Sequence, residues 1–582
     1  MAEPIQVDFA GKGRRQAPRK PAVIPPERAG LKVILSIIGS VLTAIIGYYV
    51  MLPPLNPRAK EFYYYLVLVV GSFIVFLFLL SRASTQPEYT PYVKQKSLIP
   101  GIIIGVVVAF FAVAWAFSSP FFQAKRYSQI LSVNEDGNFI QDIQEANFAA
   151  IPKLDEDVAK ATAGRTLGDL ADYVSQFVVS ESTTQINYRE KPVRVVGLGY
   201  ADLIKWLTNT RDGLPGYVIV DMANEKSEFI RLENKIRYTD TEHFGKLLKR
   251  HLRFHFPTYM FGDPNFEIDD DNNPYWIVPR MTKTIGLLGG EDVIGIVLVD
   301  AVTGECSQYN MDEVRGREGL QWIDRVYRAD LLTTQYNFHG KYAGGFWNSI
   351  LGQRGVKQAT DGFSYIAKDD DVFMYTGVTS ATGDNSIIGF ILVNQRSKDA
   401  VFYQMKGATE SSAKDAAKGL VQAEGYDATF PLLINISGQP TYFLSLLDSS
   451  KVVQGYSMVN VDQYNKIKVW AKSLSACTNA YVQALKDNGI NADNINVPDN
   501  VDTPDLNKQE QSVTGKIADI RSAVISGNTT YYIQLEGADA FYRTAANVNE
   551  LAALLNKGDE VTIIYDPTSK GNIFSASSVA LK

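Results

Sequence analysis

The chain, 582 residues long, predicts a membrane-anchored α+β protein that ends in a small β-barrel. Three observations carry that prediction. Three uncharged apolar runs lie within the first 118 residues. One strand-and-turn pattern then recurs four times between residues 179 and 486. A stretch rich in Asn, Asp and Pro, 487–512, separates that region from short alternating strands at the C-terminus.

Residues 1–32 hold seven Lys/Arg against three Asp/Glu, with Pro18, Pro21, Pro25 and Pro26 among them. This composition predicts a basic, disordered tail. It is not a cleavable signal, because the apolar run behind it starts late, is long and lacks a small-residue cleavage pattern. Val33–Leu52, Phe62–Ser81 and Leu98–Ser118 are each long enough to cross a hydrocarbon core of about 30 Å, and each is apolar on every face. None contains Asp, Glu, Lys, Arg or His, so no proton or ion pathway is visible.

The tail, Arg82, Lys94 and Lys96 carry ten positive side chains, against four for Arg58, Lys60, Lys125 and Arg126. That bias puts the N-terminus in the cytoplasm and everything after residue 118 outside, in a multi-pass plasma-membrane protein. Gly101 and Gly105 have the spacing that lets a second helix approach, which allows a homo-oligomer through the spans. Of the total charge of −6, residues 119–582 carry −13, which argues against nonspecific nucleic-acid binding there.

Residues 119–178 read as a helical connector, from the spacing of Leu154, Val158 and Ala161 and from Thr166 followed by Asp169. Beyond it the recurring strands are Gly216–Asp221 (GYVIVD), Gly295–Asp300 (GIVLVD), Gly389–Asn394 (GFILVN) and Gly455–Asn460 (GYSMVN). Apolar residues running into Asp or Asn mark a strand entering a turn. Helices are expected at Tyr200–Thr208, Thr239–Phe254, Leu320–Leu332 and Ser411–Glu424, so the unit is a helix followed by a small antiparallel sheet. The marker glycines are 79, 94 and 66 residues apart, which excludes a fixed-period solenoid and suggests diverged modules in a row.

The second copy continues as Val299-Asp300-Ala301-Val302-Thr303-Gly304-Glu305, and this ending resembles PepSY-type modules. The other copies have Asn224-Glu225-Lys226, Ser397-Lys398-Asp399 and Gln463-Tyr464-Asn465 instead of Thr-Gly-Glu. The resemblance implies a non-enzymatic binding, inhibitory or scaffolding role in a bacterial cell envelope. A subunit of a larger membrane or secretion machine and an unrecognised envelope hydrolase are the alternatives.

In the terminal region strands fit 513–522, 530–536, 540–544, 560–565 and 573–579, with a helix at 549–555 between the third and fourth. That order resembles an OB-fold barrel, a scaffold that binds oligonucleotides, sugars or proteins. Asp519, Glu536, Asp539, Glu550, Asp559, Glu560 and Asp566 outnumber Lys516, Arg521, Arg543, Lys557, Lys570 and Lys582. The balance favours an envelope protein or glycan partner over nucleic acid.

Candidate partner-binding residues are aromatic. Tyr336, Phe338, Tyr342, Phe346 and Trp347, interleaved with Gly344 and Gly345, form a segment without periodicity that suits a partner groove, a dip into the membrane interface or a plug between modules. Tyr531, Tyr532, Phe541 and Tyr542 are the stacking residues of the terminal domain. His251 and His255 stand one helical turn apart, with His243 nearby, yet Lys246, Lys249, Arg250 and Arg253 surround them and disfavour a cation. Asp269–Asn273 opens like a calcium loop, but Pro274 stands where the loop needs Gly, so an Asx-rich turn explains it. Cys306 and Cys477 are as easily two thiols as one disulfide. No GxSxG, P-loop, GxGxxG or CxxC motif occurs, and no catalytic residue, metal or cofactor is expected.

Overall fold

The computed structural model describes residues 23–148, 150–368, 371–381, 386–492, 511–525, 528–545, 549–566 and 572–582. Most of the basic tail, Asp369 and Asp370 of an acidic turn, and linker residues 493–510 lie outside the described residues. The chain divides into two compact units, one through Val501 and one from Asp502.

The apolar runs form α1 (Ala29–Met51), α2 (Lys60–Leu80) and, after the short α3 (Thr90–Lys96), α4 (Leu98–Phe117). All three long helices are apolar enough to cross a membrane, and few of their side chains are buried within the protein. A helix that is apolar all round and unburied is stable only in lipid. The connector is not continuously helical. It contains α5 (Pro120–Ser128), β1 (Val133–Gly137), α6 (Phe139–Asp142) and α7 (Glu156–Gly168).

Four sheets follow. The first contains β2 (Phe177–Tyr188), β3 (Lys191–Tyr200), then α8 (Leu203–Asn209), β4 (Leu214–Asp221) and β5 (Lys226–Ile236). After α9 (Leu248–His255) come β6 (Met260–Phe261), β7 (Asn265–Ile268), β8 (Pro274–Ile285), β9 (Gly289–Asp300) and β10 (Cys306–Asn310). After α10 (Met311–Gly316) and α11 (Ala329–Tyr342) come β11 (Lys357–Ala359), β12 (Ser364–Lys368), β13 (Asp371–Ser380), β14 (Ser386–Asn394) and β15 (Ala400–Ala408). After α12 (Glu410–Leu420) come β16 (Asp427–Ala428), β17 (Leu432–Ile436), β18 (Gln439–Leu447), β19 (Val453–Asn460) and β20 (Lys468–Ala471), closed by α13 (Leu474–Asp487).

Each sheet contains a meander of four consecutive strands, β2-β3-β4-β5, β7-β8-β9-β10, β12-β13-β14-β15 and β17-β18-β19-β20, with β6 added to the second, β1 and β11 to the third and β16 to the fourth. The recurring sequence pattern occupies the third strand every time. Of the expected helices, the first and last are present at shifted bounds. The helix expected at Thr239–Phe254 starts only at Leu248, behind a 3-10 turn at Phe244–Lys246, and residues 320–328 are irregular up to α11.

The modules do not form an open row. Sheet one packs on sheet two through Val195, Tyr217, Phe266, Trp276 and Val297. Sheet two packs on sheet three through Ile277, Ile296, Met374 and Ile391, joined by Leu332 and Tyr336 of α11. Sheets three and four share Tyr375, Phe390, Tyr403, Phe443 and Met458. Leu447 of sheet four then joins Val196, Val218 and Val220 of sheet one and Val158 of α7, and Tyr456 donates to Glu225 at 2.6 Å. The ring is closed, with β2 against β7 and β13 and β12 against β17 around its centre. Radial repetition of four-stranded meanders resembles the arrangement of a small β-propeller. An open row would leave an apolar face bare at each end, whereas β3 and β14 are buried on nearly every residue.

The connector fastens this ring. β1 pairs in parallel with β15. Ala146 donates to the Asn435 carbonyl at 2.9 Å and Asn435 Nδ2 to that of Ile143 at 2.8 Å. Lys153 donates to Met222 at 2.7 Å and its carbonyl accepts from Ser445 Oγ at 2.6 Å. Three of the four sheets are thereby tied to one strap.

The body is bonded to the helix ends. Leu55, in the α1–α2 loop, donates to Pro257 at 2.8 Å, and Arg253 Nε donates to the Leu52 carbonyl at 3.0 Å. At the end of α4, Ser118 Oγ accepts from the Leu287 and Leu288 amides at 3.1 Å each. The α1–α2 loop and the exit of α4 therefore lie on the same side of the helical bundle as the body.

The second unit holds β21 (Gln511–Ile525), β22 (Asn528–Leu535), β23 (Phe541–Ala545), β24 (Glu560–Asp566) and β25 (Ile573–Leu581), with a 3-10 turn at Glu550–Ala553. The strands pair in the cyclic order β21-β22-β23-β25-β24, with β23 and β25 parallel, around Ile517, Ile533, Tyr542, Val561 and Ile563.

Candidate ligand cleft at the ring centre

The inner strands bring polar residues of three sheets to the ring centre. A cavity of about 400 Å³ is lined by Thr183 and Thr184 of β2, Asn265 of β7, Arg325, Phe363 and Tyr365, with Asp240 and Lys249 also in its wall. A second cavity, about 210 Å³, is lined by Gln185, Arg194, Phe430 and Phe443 and shares Glu156, Phe363 and Tyr365 with the first. The two are neighbouring chambers of one cleft.

Arg194 is 2% exposed. β3 places it there, and its guanidinium donates to Thr183 Oγ1 at 3.0 Å and Gln185 Oε1 at 3.4 Å, with Glu156 at 3.4 Å. Arg325 donates to Tyr365 Oη at 2.7 Å and lies over that ring, 4.5 Å from its centroid. Among the described residues, Nε of Arg194, Nε of Arg325 and Oδ1 of Asp240 are buried without a hydrogen-bond partner. A buried donor or acceptor left unpaired costs about 1–3 kcal/mol, and these three belong to residues that line the cleft.

Around the cleft, carboxyl groups hold the sheets together. Glu267, fully buried on β7, accepts the amides of Asp324 at 3.0 Å and Arg325 at 3.1 Å. Burial pushes its pKa up to about 7 against those bonds and the Arg325 charge. Asp324 accepts the Asn187 amide at 2.6 Å, and burial, with Glu267 beside it, raises its pKa well above the usual carboxyl range. Glu156 resists its own desolvation because Arg194, Lys160 and Arg325 surround it, and its pKa falls. Burial depresses the pKa of Arg194, with Glu156 opposing and Arg325 adding to the fall. A guanidinium stays charged even so.

The residues singled out from sequence are elsewhere. Tyr336 is buried between sheets two and three. Phe338, Tyr342, Phe346 and Trp347 do come together, as a ladder toward the membrane helices. Phe338 meets Tyr127 of α5 at 4.7 Å between ring centroids, Tyr342 stacks on Phe346 at 6.5 Å, and Phe346 meets Phe121 at 5.1 Å. Trp347 is 62% exposed at its end. The segment is helical through Tyr342, not irregular. Its buried residues are Ala329, Leu332, Gln335, Tyr336, Gly340 and Tyr342, and Gln335 and Gly340 among them blur the apolar helical period.

In the terminal unit Tyr542 belongs to the core with Tyr565 and Phe574, while Tyr531, Tyr532 and Phe541 are half-buried. Strand register sets Tyr532 directly between Arg521 and Arg543, and Arg521 also covers Phe541. Two cations beside that tyrosine were not legible in the linear order of charges, although Asp519 neutralises Arg521 at 2.7 Å.

His251 contacts the Gly304 carbonyl through Nε2 at 2.7 Å, with Cys306 Sγ at 3.6 Å. Asp269 accepts the amides of Asp271 and Asn273, which makes its acidic run a closed Asx turn. Sequence reasoning missed Arg194 and Glu267. The available signal was a lone charge inside an apolar strand, Arg194 between Val193 and Val195 and Glu267 between Phe266 and Ile268. Compared with known proteins, the chain matches no family model, and no curated protein matches it.

Proposed function

We propose that the chain is a non-enzymatic, multi-pass binding protein of a bacterial plasma membrane, with its ring outside the cytoplasm, and that the central cleft takes a small zwitterion, a free amino acid or a short peptide. One observation carries this reading. Residues lining a single cavity leave a buried donor, Arg325 Nε, and a buried acceptor, Asp240 Oδ1, without partners. A ligand carboxylate complements the guanidinium and a ligand ammonium complements Asp240. The hydroxyls of Thr183 and Thr184 add short polar contacts, and Phe363 and Tyr365 form an apolar wall, the usual mixture for a small-molecule site. Of the other two wall cations, Arg328 is already neutralised by Asp263 at 3.2 Å and Asp330 at 3.1 Å, and Lys249 is exposed.

In this reading the Lys/Arg bias sets the orientation, with the N-terminus cytoplasmic. The four meanders serve as PepSY-like modules, the terminal strands as an OB-like barrel that engages an envelope protein or glycan, and the aromatic ladder ending at Trp347 rests at the membrane interface. A second role, as a subunit of a larger membrane assembly, is favoured by α4. A side chain at Gly101 or Gly105 would meet nothing within 4 Å, so that face is open to another helix.

A thermal-shift screen of the detergent-solubilised full chain against the twenty amino acids and a set of dipeptides tests the binding role. At least one ligand should raise the melting temperature in a concentration-dependent way. No shift with any of them at millimolar concentration contradicts the proposal.

A further inference from the structure

We infer that a separate cavity, on the membrane side of the body, holds the head group of an ethanolamine phospholipid. The inference rests on α1, α2 and α4 crossing a bilayer and is independent of the central cleft. The cavity, about 480 Å³, opens between the outer ends of α2 and α4 and the β8–β9 turn. Its upper wall is charged and its lower wall aromatic. Arg58, Lys60 and Lys283 supply cations, Glu61 and Glu291 supply carboxylates, and Tyr64, Phe111 and Trp115 come from the helices.

The cations are arranged by the body. Arg58 Nη1 donates to Thr282 Oγ1 at 3.0 Å and to the Lys283 carbonyl at 3.2 Å, which fixes the α1–α2 loop against β8. Lys283 is only 18% exposed and pairs with Glu291 at 3.4 Å, while Lys60 is exposed. Trp115 is 63% exposed, two residues from the end of α4, at the depth where Trp settles beside glycerol and head groups.

At head-group depth a phospholipid arrives with its tails already beside α2 and α4, which holds its head group against this wall. Lys283 and Glu291 neutralise each other, which leaves Arg58 and Lys60 for the lipid's phosphodiester and Glu61 for a head group that also carries an ammonium. The site therefore selects phosphatidylethanolamine over phosphatidylglycerol.

Native mass spectrometry of the full chain, released from nanodiscs made of equal phosphatidylethanolamine and phosphatidylglycerol, reads this directly. Wild type should retain phosphatidylethanolamine several-fold over phosphatidylglycerol. Lys60→Gln should lower retention of both lipids, and Glu61→Gln combined with Glu291→Gln should shift the preference toward phosphatidylglycerol. Lys60 and Glu61 are exposed, so an unchanged melting temperature identifies folded variants. Equal retention of the two lipids by wild type, or a preference that the carboxylate variant leaves unchanged, overturns the inference.

Discussion

The recurring Gly and Asp/Asn each have a local cause. The terminal Asp or Asn caps its own turn: Asp221 accepts the amides of Ala223 and Asn224, Asp300 those of Val302 and Thr303, Asn394 those of Arg396 and Ser397, and Asn460 that of Gln463. The leading Gly sits where the next strand's backbone comes too close for a side chain. A Cβ would lie 1.9 Å from the Ile230 carbonyl oxygen at Gly216, 2.3 Å from that of Tyr309 at Gly295, 2.4 Å from that of Tyr403 at Gly389 and 2.7 Å from that of Ala471 at Gly455. Backbone cannot yield as a side chain tip can. Gly216→Ala should therefore cost more than about 2 kcal/mol and Gly455→Ala less, while Gly101→Ala should stay within about 0.5 kcal/mol, in urea unfolding followed by circular dichroism. The motif was legible in the sequence, but its cause was not, because the opposing carbonyl belongs to a strand 14 or more residues away. Glu267 gives a second prediction. Its pKa, about 7 when folded against an ordinary 4.5, means the folded state keeps a proton that the unfolded chain has released. The stabilisation is complete below pH 4.5 and is lost as pH rises through 7, an effect of roughly 3 kcal/mol at most. Melting temperatures between pH 5 and 8 should fall, and Glu267→Gln should flatten that slope.

At the scale of elements, the connector is the clearest case of tertiary structure overriding local signal. Of the Leu154, Val158 and Ala161 spacing read as helical, Val158 and Ala161 lie in α7 but Leu154 precedes it, and Thr166 and Asp169, which resemble a helix start, stand at its end. Residues 133–137, with Asn134, Glu135 and Asp136 in sequence, give no strand signal, and β1 exists because β15 offers an open edge. The strap between them buries Phe139, Ile143, Phe148, Ile151 and Leu154. At about 1.5–3 kcal/mol for each buried side chain, that contribution rivals the whole stability of a typical domain. A body fragment of residues 156–492 should melt at a much lower temperature than 129–492, or without cooperativity, in differential scanning calorimetry. Equal melting of the two would show that the ring closes without its strap. β2 and β3 were missed for a related reason. Buried on nearly every residue, β3 has Val193, Val195, Val196 and Leu198 on both faces, with Arg194 among them, and so shows no alternation.

For the whole molecule, the three long apolar helices, the marker strands and the terminal strand order were all readable, because each follows from the pattern of residues within a short stretch. Closure of the ring was not, because it depends on which apolar face meets which, and Leu447 reaching Val196 and Val218 has no signature in either segment. The central cleft was hidden for the same reason, since Asp240, Arg325 and Tyr365 come from different parts of the ring. The orientation is testable without the ligand: protease added to intact protoplasts should degrade the region after residue 118 and spare the N-terminal tail. The central claim, that the cleft binds a zwitterion through Arg325 and Asp240, is tested most directly by isothermal titration of L-alanyl-L-alanine into the solubilised full chain and two variants. Wild type should bind with one site per chain, and Arg325→Met and Asp240→Asn should each weaken binding at least tenfold while remaining folded. Absence of binding to wild type, or equal affinity in all three proteins, would contradict the claim.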